Sequence, residues 1–437
     1  MSSRLLFCIY YFIFSKSNKS VYGIAGESIL GKSFRLKDSG SISPLSFHKE
    51  FIKSLIKLFK AKQGNKVIKV SDSKKAIYDV YRSDENLRKS YIKFFGNVDV
   101  INFIPREELG KPLYYFPKRE SFFGLLFLYL GTLPIFVFSR FKMPLLLIFQ
   151  EYLEMKAVTK YIENNGIKHL YHFNIYEIES NFLSYFLNSQ FGVKTTKCPS
   201  EVPLSFWNKN IICNELIVCN GYQLDEIKKY ESSIKVNEIL KWGPEQGHLV
   251  EQLYRNRNRN DNSKMVLGYI STGAWIREKE GHIDQGFQMA KNELLVLKFF
   301  NRFLSKRNSK LIVYLHPREK MDKYYQEAVA KYDSLLINID YEFAPLEVPS
   351  SQLFMNSDLV VSFYSSLLFE RLYFGFKTIF YTLYSDDFPL KESSINNICA
   401  FSEDELESLI NASLSLTDNE FFEKMNIKNY PYLKKQA

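Results

Sequence analysis

The chain has 437 residues, which is long enough for two domains of ordinary size. A formal net charge of +10 favours anionic partners, such as phosphorylated substrates or a membrane surface, and nucleic acid is disfavoured because no motif interleaves basic and aromatic residues. The five cysteines form no CxxC pair, which argues against a zinc site and against a disulfide framework. A reducing cytoplasm is the simplest compartment.

The first quarter of the chain alternates apolar runs with charged stretches. The apolar start, residues 4–14, is predicted to be a buried strand and not a short signal segment, because one Arg precedes it and no cleavage site follows. Residues 47–61 place apolar side chains at helical spacing with lysines opposite, which predicts an amphipathic helix. Residues 98–104 predict a strand. This order indicates a doubly wound sheet.

An uncharged apolar run covers residues 122–138, and residues 143–149 continue it. Basic residues flank the run on both sides, while Gly131 and Pro134 interrupt it. We expect the whole segment, 122–149, to lie in the interface of an anionic leaflet, on the inner face of the cytoplasmic membrane. A spanning hairpin and a buried core helix are the alternatives.

Further strands and helices alternate along the chain up to a polar stretch of low complexity. Residues 167–173 predict a strand, and residues 215–230 predict a strand, a turn and a helix. We therefore predict an α/β fold with two Rossmann-like domains. Their predicted bounds are 1–250 and 265–437, joined by a linker at 251–264.

The second predicted domain repeats the same alternation. A strand opens it at 265–275, and helices are predicted at 292–308, 320–332 and 367–374. Residues 335–340 are predicted to form another strand. A last helix at 401–416 carries the spacing of a capping box, with Ser402 followed three residues later by Glu405.

Two β-rich apolar runs in this domain, 311–315 and 359–363, each lead directly into polar residues. The polar residues are His316 and Pro317 after the first run, and Tyr364, Ser365 and Ser366 after the second. Because the carboxyl ends of parallel strands share one edge of a sheet, we expect both groups on that edge. Serines that open a helix offer free backbone N–H groups to an anion, although they are also ordinary N-caps.

Two further groups belong to this predicted nucleotide site. Ser271, Thr272 and Gly273 follow a strand and are predicted to line the cleft between the domains. Glu370 lies in the helix after Ser365, where it would reach a ribose hydroxyl or pair with a neighbouring cation. The charged residues that follow Gly273 form a dense cluster, for which a solvated loop is the simplest interpretation. They are Arg277, Glu278, Glu280, His282 and Asp284.

The first domain offers its own polar cluster, His172, Glu177 and Glu179, after a strand. Either carboxylate would serve as a general base for an acceptor hydroxyl, or both are acids that stabilise a helix N-terminus. Residues 26–33 match the spacing of a phosphate-binding P-loop, but their flanks predict neither a strand nor a helix. We expect a glycine-rich loop that faces the cleft.

The sequences YLHPRE (314–319) and SFYSS (362–366) resemble the HP and serine motifs of bacterial GT-B glycosyltransferases that use CMP-activated acidic sugars. That group includes the sialyltransferases and polysialyltransferases and, more loosely, the capsule-type Kdo transferases. The resemblance covers residues 265–385. It implies that His316 contacts the CMP phosphate and assists the leaving group, and that the two serines hold the phosphate.

The resemblance also implies a function. The chain would transfer a nonulosonate, such as sialic, pseudaminic or legionaminic acid, or Kdo, from a CMP donor to a bacterial surface glycan. It would need no cofactor and no metal, in line with the absence of a DxD triplet at a strand end. Expected partners are the CMP-sugar, a glycan or lipid-linked acceptor, and a membrane surface. A UDP-sugar or CDP-polyol donor, and a non-catalytic role in glycan assembly, are the alternatives.

Overall fold

The chain forms two compact units in this computed structural model, with the main division between Glu245 and Gln246. The residues that it describes are 66–68, 74–78, 94–96, 98–102, 159, 162–173, 179–198, 211–231, 234–243, 254, 265–280, 283–363, 365–382 and 394–427. The predicted linker 251–264 lies outside these residues except for Tyr254, which packs on Phe354 and Phe376 of the second unit. The predicted domain bounds remain a prediction.

Unit 1 is built on a mainly parallel sheet. Its strands are β1 (Lys66–Ile68), β2 (Lys75–Tyr78), β3 (Asp99–Asn102), β4 (His169–His172), β5 (Lys194–Lys197), β6 (Ile211–Ile217) and β7 (Ile234–Leu240). Their order across the sheet is β1-β3-β2-β4-β5-β6-β7, and only β1 runs antiparallel to its neighbour. Helix α1 (Glu179–Phe191) connects β4 to β5, and α2 (Gly221–Lys229) connects β6 to β7. The strand order reverses between β2 and β4.

Unit 2 contains a sheet in which every pairing is parallel. Its strands are β8 (Met265–Ile270), β9 (Ser309–Tyr314), β10 (Tyr341–Phe343), β11 (Leu359–Ser362), β12 (Thr378–Tyr381) and β13 (Cys399–Ala400). The order across the sheet is β10-β9-β8-β11-β12-β13. If the six strands are numbered 1 to 6 along the chain, their order across the sheet is 3-2-1-4-5-6, as in a Rossmann fold. The direction of winding reverses between β8 and β11.

The helices of unit 2 cover both faces of this sheet. They are α3 (Ala274–Lys279), α4 (Ile283–Leu304), α5 (Asp322–Leu335), α6 (Ser366–Tyr373), α7 (Glu403–Leu414) and α8 (Asp418–Lys424). Side chains of α3, α4, α5 and α7 join one apolar cluster, with Phe300 and Tyr332 at its centre. Those of α6 and α8 join the other, with Phe369 and Phe421. Burial on both faces explains the near-continuous apolar runs of β9 and β11.

The predicted fold class, α/β with two Rossmann-like domains, is confirmed by these two sheets. The strands predicted at 98–104 and 167–173 are present as β3 and β4, and the helix predicted at 367–374 is present as α6.

One local prediction was wrong and a second was only half confirmed. Residues 335–340 form the end of α5 and a turn, and the strand begins later, at Tyr341. The run of apolar residues predicted a strand, but the run has two different environments. Leu336 is buried beneath the helix end, whereas Ile337 is 70% exposed in the turn. The capping box at Ser402 is half formed: Ser402 Oγ accepts the N–H of Glu405, but the Glu405 carboxylate accepts the N–H of Phe401. Both halves of the motif occur instead at the start of α8, between the N-cap Thr417 and Glu420.

Several predicted segments lie outside the described residues, namely 4–14, 26–33, 47–61 and 122–149. Within the residues that are described, no helix combines the length and the apolar character needed to cross a bilayer.

Candidate functional site

Three loops of unit 2 leave neighbouring strands at the same edge of the sheet. His316 follows β9, Gly273 follows β8 and Ser365 follows β11. Since β8 lies between β9 and β11, the three loops adjoin one another at the carboxyl edge. The reversal of winding between β8 and β11 opens the crevice in which parallel α/β sheets bind ligands. The expected proximity of the His316 loop and the Ser365 loop is therefore borne out at the level of strand order.

The imidazole of His316 is half-buried and has a defined tautomer. The backbone N–H of Arg318 donates to His316 Nδ1 at 3.2 Å, so Nδ1 is an acceptor and the proton of the neutral ring lies on Nε2. Burial, followed by the charges of Arg277 and Arg318, lowers the pKa of His316 to about 4. At neutral pH the residue therefore presents a neutral N–H donor and not a cation.

Gly273 approaches the same imidazole closely. Its φ angle of 62° lies in the left-handed region that favours glycine. A Cβ atom at this position would lie 2.9 Å from Cγ and Nδ1 of His316. Both the backbone conformation and the space therefore require glycine, and the close approach limits where the histidine ring can lie.

A buried carboxylate, Glu319, holds the His316 loop. Its Oε2 accepts the backbone N–H of His316 at 2.9 Å. Its Oε1 accepts the indole N–H of Trp275 at 2.6 Å and the hydroxyl of Tyr332 at 3.2 Å. Burial, and then the negative charge of Glu293, raise the pKa of Glu319. The carboxylate ties the loop after β9 to α3 and α5.

A second buried carboxylate, Glu293 of α4, holds the loop after β8. Its Oε1 accepts the backbone N–H and the hydroxyl of Thr272, at 2.6 and 2.8 Å. It also accepts the hydroxyl of Ser271 at 3.3 Å, and Ser271 Oγ accepts the N–H of Gly273 at 3.1 Å. The hydroxyls of Ser271 and Thr272 are buried and donate to Glu293. A nucleotide would therefore contact the backbone of this loop and not these hydroxyls. Sequence reasoning missed both glutamates because they lie on the following helix or turn, at positions typical of solvated acids.

The start of α6 has the geometry predicted for it. Ser365 is the N-cap, and its Oγ accepts the N–H of Leu367 at 3.3 Å. Ser366 is the first helical residue, and both serines are half-buried. The helix ends before Gly375, whose φ of 72° is left-handed. The positive end of the helix dipole and the hydroxyls lie at the carboxyl edge.

The remaining predicted nucleotide-binding residues are placed as follows. Pro317 is exposed in the turn that follows His316. Glu370 is buried in the middle of α6, with 8% of its surface exposed. Tyr364 lies outside the described residues. Their roles remain predictions.

Two guanidinium groups make the surroundings of His316 positive. Arg318 donates to Glu280 at 3.0 Å. Arg277, on α3, is half-buried and contacts the sulfur of Met289 at 3.9 Å. The sequence indicated only a solvated charged loop here, but this stretch is helical as far as Lys279 and packs against α4.

The catalytic roles predicted for two carboxylates of unit 1 remain predictions. Glu177 lies outside the described residues, and Glu179 is the first residue of α1. His172 ends β4 and is buried against the ring of Tyr78, at a centroid distance of 5.0 Å. Burial, and then the charge of Lys197, lower the pKa of His172 to about 3. His172 is therefore neutral at all physiological pH values.

Lys197 is a buried cation that sequence reasoning missed. It ends β5 beside His172, is fully buried and donates to Asn181 of α1. Burial lowers its pKa to about 8. Among the residues that the structure describes, no group of three His, Cys, Asp or Glu side chains has the geometry of a metal site.

No protein-family model matches the chain, and no curated protein matches it significantly. Solved structures that are similar to it include MurG from Acinetobacter baumannii, at 10% identity and a TM-score of 0.45 over 83% of this chain and 97% of that one. Another is UDP-GlcNAc 2-epimerase from Neisseria meningitidis bound to UDP-GlcNAc, at 10% identity and a TM-score of 0.47 over 83% and 94%.

A third similar structure is the wall teichoic acid polymerase TagF, at 10% identity and a TM-score of 0.42 over 88% of this chain and 91% of that one. Identities and TM-scores of this size are too low to assign an activity.

Proposed function

We propose that the chain is a GT-B glycosyltransferase that binds a nucleotide-activated sugar at the carboxyl edge of the unit 2 sheet. The observation that carries the proposal is the meeting of His316, Gly273 and the Ser365 helix start on three neighbouring strands beside the reversal of winding. In a sheet of this strand order, that crevice is where nucleotides bind.

The donor in this proposal is a CMP-activated acidic sugar, a nonulosonate or Kdo. The resemblance of residues 314–319 and 362–366 to the HP and serine motifs supports this choice. The chemistry is compatible with it, because CMP leaves as a phosphate monoester that two serines, free helix N–H groups and a histidine N–H would stabilise. In this proposal, transfer requires neither a metal nor a cofactor.

His316 acts in this proposal through its Nε2–H. The glycosidic bond to the phosphate oxygen breaks, and the bonding electrons stay on that oxygen. A neutral imidazole stabilises the growing negative charge by hydrogen bonding. His316 transfers no proton in this step, because CMP can leave as a phosphate dianion that accepts the Nε2–H hydrogen bond.

The acceptor side belongs to unit 1 in this proposal. Glu177 or Glu179 serves as the general base for the acceptor hydroxyl, which belongs to a bacterial surface glycan or a lipid-linked precursor. Residues 122–149 hold the enzyme on the inner face of the cytoplasmic membrane, where such acceptors are assembled.

The test is thermal stabilisation of the purified protein by CMP, CDP, UDP and ATP, each with and without magnesium. The proposal expects selective stabilisation by CMP that magnesium does not increase, since ligand binding to the native state raises the melting temperature. CMP-sialic, CMP-pseudaminic and CMP-Kdo donors would then be screened for transfer.

The other outcomes contradict the proposal in different ways. A preference for UDP or CDP would replace the donor by a UDP-sugar or a CDP-polyol. A magnesium-dependent response to ATP would assign the nucleotide to residues 26–33. No response to any of the four nucleotides would favour a non-catalytic role in glycan assembly.

A further inference from the structure

Arg277 and His316 are linked through α3 and the loop that precedes it. It follows Gly273 by four residues, which places the two positions on the same side of the helix start. Gly273 lies against the His316 ring, since a Cβ atom added to this glycine would be 2.9 Å from Nδ1. The charge of Arg277 also contributes to the low pKa of His316, which places the guanidinium and the imidazole in one electrostatic environment.

The two arginines of this environment differ in their partners. Arg318 has a carboxylate partner, since it donates to Glu280 at 3.0 Å. Arg277 is half-buried, and in the described part of the chain its hydrogen-bonding partner is the weakly accepting sulfur of Met289 at 3.9 Å. A guanidinium carries five N–H donors, and a half-buried one whose partner among the described residues is a thioether favours an anion from outside the chain.

Arg277 and the serine helix start are on different sides of the sheet. Trp275 of α3 packs in the apolar cluster on one face, whereas Leu368 of α6 packs in the cluster on the other. His316 lies on the same edge as both.

From this arrangement we infer that Arg277 binds a second anionic group of the donor, the carboxylate carried by the transferred sugar. The inference rests on the proposed function, and it identifies the residue that distinguishes acidic from neutral sugars. A planar guanidinium and a planar carboxylate pair through two parallel hydrogen bonds, which suits this discrimination.

The experiment measures the dissociation constants of CMP and of CMP-sialic, CMP-pseudaminic and CMP-Kdo donors by calorimetry. The variants are Arg277→Met, which removes the charge but keeps much of the side-chain length, and Arg318→Met as the matched control. The expected result is that Arg277→Met weakens the best-bound acidic-sugar donor at least about tenfold and CMP less than about twofold, a size typical of a lost charged hydrogen bond. Arg318→Met is expected to leave that selectivity unchanged.

Several outcomes would overturn the inference. Equal weakening of CMP and of the sugar donor by Arg277→Met would assign Arg277 to the phosphate, and no weakening of either would leave it without a binding role. If the wild type binds CMP but none of the acidic-sugar donors more tightly, no carboxylate subsite exists. If the wild type does not bind CMP at all, the proposed function fails together with the inference. Melting temperatures of both variants would show whether they are folded.

Discussion

The carboxylate of Glu319 accepts a hydrogen bond from the backbone N–H of His316 at 2.9 Å, and its other oxygen accepts the indole N–H of Trp275. The carboxylate therefore fixes the backbone of His316, and this hydrogen bond does not use either ring nitrogen. It connects the loop after β9 to the helix after β8, so the relative positions of the two loops depend on one buried side chain.

Replacement of Glu319 should separate site geometry from overall stability. Glu319→Ala leaves three donors unsatisfied in a buried place, which costs about 1–3 kcal/mol for a buried polar group. Glu319→Gln keeps one acceptor oxygen and much of the volume. We expect both variants to weaken CMP binding, Glu319→Gln less than Glu319→Ala. We expect the loss of CMP affinity to be larger than in a variant that is equally destabilised by a substitution elsewhere in unit 2. Urea unfolding and calorimetry would check this, and equal CMP affinity in all variants would contradict it.

His316 itself should matter for binding and transfer and little for folding. His316→Ala removes the Nε2–H donor, and we expect nucleotide affinity and transfer to fall by at least about tenfold. His316→Gln retains an N–H donor and should recover part of the affinity. The melting temperature is the control in both cases. A scaffold protein with an inactive site would show no change in either measurement.

Gly273→Ala tests the close approach to His316. A left-handed alanine costs roughly 1–2 kcal/mol, and its Cβ would press on the imidazole. Gly166→Ala is a matched control, because Gly166 has a similar φ of 61° and open space around its Cβ position. We expect similar backbone strain in both variants, but weaker CMP binding only in Gly273→Ala. Loss of binding in both, or in neither, would show that the contact does not organise the site.

The protonation of His316 should destabilise the protein in mild acid. Its pKa is lowered from 6.5 to about 4, chiefly by burial, so the folded state prefers the neutral ring. Relative to acid conditions, the neutral ring therefore adds to the free energy of unfolding above pH 6.5, and this stabilisation is lost as the pH falls towards 4. Allowing for solvent screening, the loss between pH 7 and 5 is on the order of 1 kcal/mol.

The check for this pH dependence is a comparison of wild type with His316→Gln. The free energy of unfolding of the wild type should fall more steeply between pH 7 and 5 than that of the variant. Titration of the imidazole by NMR should give a low pKa that rises when CMP binds. A pKa near 6.5 in the free protein would contradict the buried, neutral histidine.

Acid should also weaken unit 1 through Glu215. Burial alone would raise the pKa of this carboxyl, but hydrogen bonds from His169, Lys194 and Thr196 lower it to about 2. The pKa of Glu215 is lower in the folded than in the unfolded state. Its stabilisation of the folded state is therefore present above pH 4.5 and is lost as the pH falls towards 2. Glu215→Gln should flatten the pH dependence of unfolding in this window without changing CMP affinity. An unchanged slope would show that the network does not stabilise the charged form.

The sequence by itself determined the fold class and the local form of the proposed nucleotide site. The apolar runs before His316 and Tyr364 predicted two parallel strands, and the serines predicted a helix start, because these features depend on residues close together in the chain. Only the tertiary structure decided which loops are neighbours. Strand order places β8 between β9 and β11, and no short-range pattern encodes that order.

The same reason explains why the sequence did not indicate the two supporting carboxylates. Glu293 binds residues about twenty positions earlier in the chain, and Glu319 binds Trp275 across 44 positions. In the sequence both resemble solvated acids of a helix or a turn. Burial gives them their roles, since a carboxylate removed from water must find donors, and those donors come from separate strands and helices that only folding brings together.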